Sequence, residues 1–261
     1  MKKKLLAVAL AMCVVIVCVV GFTLAYFTDA KQTTNVFTVG DVYIKLTEAA
    51  VMRDGVGNIV ADPSKPRVEG SDSASVLKEH GTMYPGLEVC MDPTVEVTGS
   101  ENAWIAAKVT ISDGSGGLTQ LIGYGDVGGH IDVRELLKGG FLAESAHVLQ
   151  EYYVGDNEYI ENVRYNENYA MVQVANPGEG KYVFYFFVIK PMSKGESVTF
   201  FEQLVIPEIW GTDDIQKLKK LEINFAAYAV QQVGFTRCFD AMTEAFPDQF
   251  DITVKTNATT P

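Results

Sequence analysis

Residues 182–189 read Tyr182-Val183-Phe184-Tyr185-Phe186-Phe187-Val188-Ile189, a run without a charged side chain. A strand with one face in water alternates apolar and polar residues, so this run is too continuous to be half-exposed. It is expected at the centre of a sheet. Lys181 precedes it and Lys190-Pro191 follows it, as charges and proline flank a segment that would otherwise aggregate.

Strand patterns extend outward from this centre. Apolar β-patterned stretches occur at 169–174, 197–206 and 221–230, and upstream at 94–97 and 104–111. In the last of these, Ile105, Ala107, Val109 and Ile111 share one face. Nearer the N-terminus, Val42, Ile44 and Leu46 alternate with Tyr43, Lys45 and Thr47. Asp54-Gly55 and Gly57-Asn58 supply turn residues for a hairpin joining 51–52 to 59–60. Residues 62–79, with two prolines, Gly70 and several serines, read as a loop. Glycines break the pattern from 112 to 140, where 131–137 reads as a short helical piece, and 142–150 reads as another. The acidic, tyrosine-rich stretch 151–168 reads as surface hairpins. Thr212 is expected to cap a short helix, and 236–245 to form a terminal amphipathic one. No βαβ rhythm favours a parallel sheet. The expected fold is mainly β, a jelly-roll-like antiparallel β-sandwich with short helical insertions.

The whole chain has 261 residues and a formal charge of −12, from 33 acids against 21 bases. Such a chain repels nucleic-acid phosphates and offers no basic patch to anionic lipid. Three of the bases, Lys2, Lys3 and Lys4, precede an uncharged apolar run over 5–20. With Thr23-Leu24-Ala25 after it, this is the pattern of a secretory signal over residues 1–25, cleaved between Ala25 and Tyr26. The alternative is an uncleaved anchor, since the run approaches the ~20 residues that a span needs. Either way the body of the protein lies outside the cytoplasm, and contact with the membrane is through the uncleaved leader alone. Cleavage removes three lysines and no acid, which leaves −15 on residues 26–261. Those residues form one domain with an extended N-terminal arm over 26–41.

Little in the sequence points to catalysis or a cofactor. Gly123-Tyr124-Gly125-Asp126-Val127-Gly128 matches GxGxxG but lacks the flanking strand and long helix of a dinucleotide site, so it reads as a surface loop. Asp113-Gly114-Ser115-Gly116-Gly117 lacks the spaced carboxylates of a calcium loop and reads as a turn. His80, His130 and His147 are scattered, and His147 with Glu151 is too small a set for zinc. Cys90 and Cys238 remain after leader removal, as one disulfide or two buried thiols. No cofactor, no metal ligand and no enzyme activity are expected.

Two segments carry a family resemblance. The first is Gly21-Phe22-Thr23-Leu24-Ala25-Tyr26-Phe27-Thr28-Asp29 with Thr34-Asn35-Val36-Phe37-Thr38-Val39-Gly40-Asp41-Val42. The second joins Met83-Tyr84-Pro85-Gly86, Asp92-Pro93-Thr94-Val95-Glu96-Val97 and Ser100-Glu101-Asn102-Ala103-Trp104. Together they resemble the SipW-dependent secreted proteins of Gram-positive bacteria, the TasA, CotN and camelysin family, in its clostridial-type branch. The resemblance implies cleavage by a SipW-like signal peptidase and a TasA-like sandwich. It further implies a structural protein of the cell surface or biofilm matrix, partnered with itself in a head-to-tail filament. In such assembly the freed N-terminal segment adds as a strand to the next subunit. The donor candidates here are Phe27, Val36, Phe37, Val39, Val42 and Ile44, within 26–46. The same stretch also reads as the first strand of its own domain. A second reading is a monomeric surface-binding module using Tyr152, Tyr153, Tyr159 and Tyr165. A camelysin-like metalloprotease ranks last.

Overall fold

The apolar run forms strand β13 (Lys181–Val188), the middle strand of a seven-stranded sheet. The structure, a computed structural model, describes residues 31–39, 42–69, 83–113, 116–121, 133–143, 147–154, 158–176, 180–218, 221–250 and 252. From edge to edge the large sheet runs β1 (Lys31–Val39), β16 (Glu222–Gln231), β8 (Ala103–Ser112), β13, β12 (Tyr169–Asn176), β11 (Glu158–Tyr165) and β10 (His147–Val154). Its ladders are antiparallel except the first, where β1 runs parallel to β16.

Both faces of β13 are covered, which is why its sequence does not alternate. Phe184, Phe186 and Val188 join a core cluster with Ile105, Ala107, Val109 and Ile111 of β8 and Phe225 and Ala227 of β16. Val183, Tyr185 and Phe187 turn to the opposite face, against Cys238, Ala241 and Met242 of the helix Cys238–Ala245 and against Phe250. Each large apolar side chain buried here contributes about 1.5–3 kcal/mol.

Two smaller sheets complete the first of these clusters. One runs β14 (Ser197–Thr199), β7 (Thr94–Val97), β2 (Ile44–Glu48), β5 (Val68–Glu69). The other runs β3 (Val51–Arg53), β4 (Ile59–Ala61), β6 (Glu88–Cys90), β15 (Gln203–Val205), β9 (Leu137–Lys138). Leu46, Val89, Val95, Val97 and Leu204 point from them into the core that lines the large sheet. The protein is therefore mainly β, with three antiparallel or mixed sheets and few helices. No closed barrel forms among the described residues.

Several local expectations change. The helix expected over 142–150 is replaced, in its described residues, by a 3-10 turn at Gly140–Ala143 and by β10, which pairs with β11 in the large sheet. The local helical preference of 147–150 yields there to a long cross-strand ladder, the usual way tertiary pairing overrides local preference. In the stretch 151–168, β10 and β11 pair antiparallel as expected of a hairpin, and they form the far edge of the large sheet. The stretch 197–206 breaks into β14 and β15, which belong to different sheets. The break falls at Phe200 and Phe201, both at 0% exposure, since two adjacent side chains of one straight strand point to opposite faces. Gly211, not Thr212, is the N-cap of the helix Thr212–Ile215, and its N–H donates to the Asp214 carboxylate at 3.1 Å. The sheets are not purely antiparallel, because β4 also meets β6 in parallel.

Candidate functional site

The N-terminal segment is the natural place to begin, because it carries most of the singled-out residues. Ala25, Tyr26 and Phe27 lie outside the described residues. Val36, Phe37 and Val39 belong to β1, where they stand in register with Ala227, Tyr228 and Val230 of β16. The ladder is regular from Lys31↔Glu222 to Val39↔Val230. β16 is held independently on its other side, by β8, from Glu222↔Ser112 to Gln231↔Ala103. A parallel pair cannot be closed by a tight turn. Here the intervening chain is the connection, and β1 leads into the other described strands through its C-terminal end.

Val42 and Ile44 stand apart from that strand. Val42 is 2% exposed in the core, and Ile44 pairs with Val97 in the four-stranded sheet. Between them, the Tyr43 carbonyl accepts the N–H groups of Thr98 at 2.8 Å and Gly99 at 3.1 Å. A Cβ on Gly99 would lie 2.9 Å from the Tyr43 nitrogen, so glycine permits this close approach. The structure thus divides the candidates at residues 40–41, with an edge strand before and a packed strand after.

The second resembling segment is scaffold around that base. The Asp92 carboxylate accepts the Ala49 N–H at 2.6 Å and pairs with Arg67. Arg67 donates in turn to the carbonyls of Thr47 and Asp92 and to Thr94 Oγ1. One guanidinium fork therefore ties β2, β5 and β7 together. Gly86 takes φ +79° in the turn at Pro85, and its N–H donates to the Ile206 carbonyl at 2.9 Å. Trp104 is 3% exposed, in the cluster under the C-terminal helix.

Other candidates are dispersed. Asp113 is buried, and its carboxylate accepts the N–H of Gly116 at 3.0 Å and of Leu118 at 2.9 Å. Residues 122–130, with the GxGxxG match and His130, lie outside the described residues, as does His80. His147, Tyr152 and Tyr153 fall on β10, with Tyr159 and Tyr165 on β11. Among the described residues, no three His, Cys, Asp or Glu side chains gather as a metal site. Cys90 and Cys238 are both free thiols. Cys238 is buried and donates to the Ile105 carbonyl at 3.2 Å, and burial pushes its thiol up. Cys90 borders a cleft of about 280 Å³ with Glu88, Asp92 and Glu202. Burial, and then the negative charges of Asp92 and Glu48, push that thiol up to about 11, so it is a weak nucleophile at neutral pH.

Sequence reading missed the role of β16. It marked 221–230 as a strand but had no signal that the N-terminus would lie along it, because the two are separated by nearly the whole chain. No family model, curated protein or solved structure matches the chain.

Proposed function

We propose that this chain is a secreted structural protein of the cell surface or extracellular matrix that assembles head to tail by donating its N-terminal strand. One observation carries the reading: among the described residues β1 is an edge strand that pairs only with β16, while β16 has its own ladder to β8 on the other side. Withdrawing β1 breaks a single ladder and leaves the rest of the sheet paired. The vacated β16 edge then fits the same segment of another copy, because each copy carries an identical donor and an identical slot. A contact of that kind is heterologous and does not close, so it propagates as a filament.

Several features support this reading. The leader ends just before the strand, so cleavage between Ala25 and Tyr26 by a SipW-like peptidase frees the donor's start. The likeness of 21–42 to the TasA, CotN and camelysin family points the same way. The finer description of the fold, a β-sandwich of jelly-roll type, fits the packing of the large sheet's inner face against the two smaller sheets. Within one copy the strand competes at an effective concentration in the millimolar range, as for any short tether. Assembly therefore has a concentration threshold and a slow start, set by release of β1 from its own slot.

Negative-stain imaging of the chain beginning at Tyr26, beside one lacking 26–39, tests the proposal. The longer form is expected to grow filaments and the shorter to remain a folded monomer. Filaments from the shorter form would remove the mechanism. N-terminal sequencing of the extracellular protein is expected to read Tyr26 first, and a retained Met1 in the membrane fraction would favour the anchor.

A further inference from the structure

We infer that the outer edge of β1 is a self-association surface, on which a second copy pairs its own β1 antiparallel about a two-fold axis at Asn35. The inference rests on the placement of β1 in the sheet and not on strand donation, since β1 is the outermost strand whichever copy's slot it fills. Among the described residues, no strand pairs with its outer side. Such an edge is a template for another strand unless it is blunted by charge, proline or bulges.

The two edges of the large sheet differ in this respect. At the far edge, the β10–β11 ladder shifts register twice, between Val148 and Gln150 and between Gln150 and Tyr152, and β10 carries Glu151. Bulges and an acid there disfavour addition of a further strand. β1 has no shift against β16 and no proline, and its one charge, Lys31, stands at its first position rather than mid-strand. It is rich in threonine, valine and phenylalanine, which suit strands, and Val36 is 43% exposed.

A sheet edge pairs with another open edge, and the regular one this chain offers is β1 of a second copy, while charge sets the direction. A chain of −12 repels copies of itself, and the acid-free β1 is where their approach is least opposed. A parallel pairing of two β1 strands would set Lys31 beside Lys31, and like charges directly opposite are destabilising. An antiparallel pairing centred on Asn35 sets Lys31 opposite Val39, Thr33 opposite Phe37 and Thr34 opposite Val36. Within 31–39 no like charges then meet, and each exposed Val36 gains a cross-strand neighbour. The contact is isologous and closes as a pair, which joins two large sheets edge to edge.

Cysteine cross-linking tests this register in the chain beginning at Tyr26. Asn35→Cys, oxidised, is expected to give a covalent dimer on a non-reducing gel, lost on reduction. Thr33→Cys, whose opposite residue is Phe37, is expected to cross-link far less. The native thiols compete little, since Cys238 is buried and Cys90 half-buried. Adding Val36→Lys to Asn35→Cys is expected to slow dimer formation roughly tenfold, because both symmetric contacts change at once. Equal cross-linking from Asn35→Cys and Thr33→Cys, or none from either, would overturn the inference. So would undiminished cross-linking with Val36→Lys present. Circular dichroism checks that the variants are folded, and if the lysine variant is not, the comparison of the two cysteine positions decides. Strand donation sets Asn35 beside Ala226 of a neighbour, so its failure reads differently: filaments are lost while the Asn35 cross-link persists.

Discussion

At the scale of single residues, the firmest constraints come from close approaches that admit no alternative side chain. A Cβ on Gly117 would lie 2.1 Å from the Lys217 carbonyl oxygen and 2.8 Å from Asp113 Oδ2. Neither neighbour is a free side-chain tip, since one is backbone and the other is held by two N–H donors. Gly117→Ala is therefore expected to cost at least about 2 kcal/mol by denaturant titration. Asp92→Ala is expected to cost about 1–3 kcal/mol, because it strands the Ala49 N–H and takes from Arg67 its carboxylate partner, leaving the guanidinium only its neutral acceptors. Cys90 makes a pH prediction. Its folded thiol titrates near 11 against an ordinary value of 9.0, so between those values the unfolded chain binds fewer protons than the folded one. Stability from this group is complete below pH 9 and is lost as pH rises through 11. Tyr228, which burial pushes up to about 12, acts in the same direction at higher pH. Cys90→Ala is expected to flatten the fall in stability between pH 9 and 11, measured by melting temperature; an unchanged slope would place the alkaline loss elsewhere.

At the scale of elements, the C-terminal helix explains a sheet with no wet face at its centre. Phe250 lies with its ring centroid 4.8 Å from Tyr228 and 5.6 Å from both Tyr185 and Phe187. These rings meet tilted or edge-on, the arrangement that aromatic quadrupoles favour. Phe250→Ala is expected to cost about 3–5 kcal/mol, the range for emptying a buried aromatic site. It is also expected to expose apolar surface on β13, read as increased binding of a hydrophobic dye. Strand β1 is the opposite kind of element, held by one ladder and with Val36 in water. Its amide protons are expected to exchange with deuterium well before those of β13. Equal protection of the two strands would argue against an arm that leaves its slot.

At the scale of the whole molecule, charge sets the conditions for association. Under the proposed processing each copy would carry −15 and repel others at low ionic strength, and the Debye length shrinks to ≈8 Å at physiological salt. Filament growth, followed by light scattering, is therefore expected to accelerate with added salt and with mild acidification toward the sequence pI of about 4.7. Growth that slows in salt would mean that attraction between opposite charges, not strand pairing, holds the subunits.

Burial patterns were legible in the sequence where they are local. The continuous run 182–189 announced a doubly covered central strand, and Ile105, Ala107, Val109 and Ile111 announced one core face of β8. Side-chain periodicity reports what lies above and below a strand, because that is where side chains point. It says nothing about what lies beside the strand, since lateral pairing uses backbone groups that every residue shares. Hence Phe200-Phe201 did not reveal that its two flanks join different sheets, and the helix-like spacing of 142–150 did not reveal an edge strand. The same physics governs the candidate site. The proposed donor residues are named through the family resemblance of 21–42, not from periodicity. The slot on β16, the parallel direction of β1 and the contrast between the two sheet edges came only from the tertiary structure, because lateral hydrogen bonds join segments whose side chains carry no record of each other.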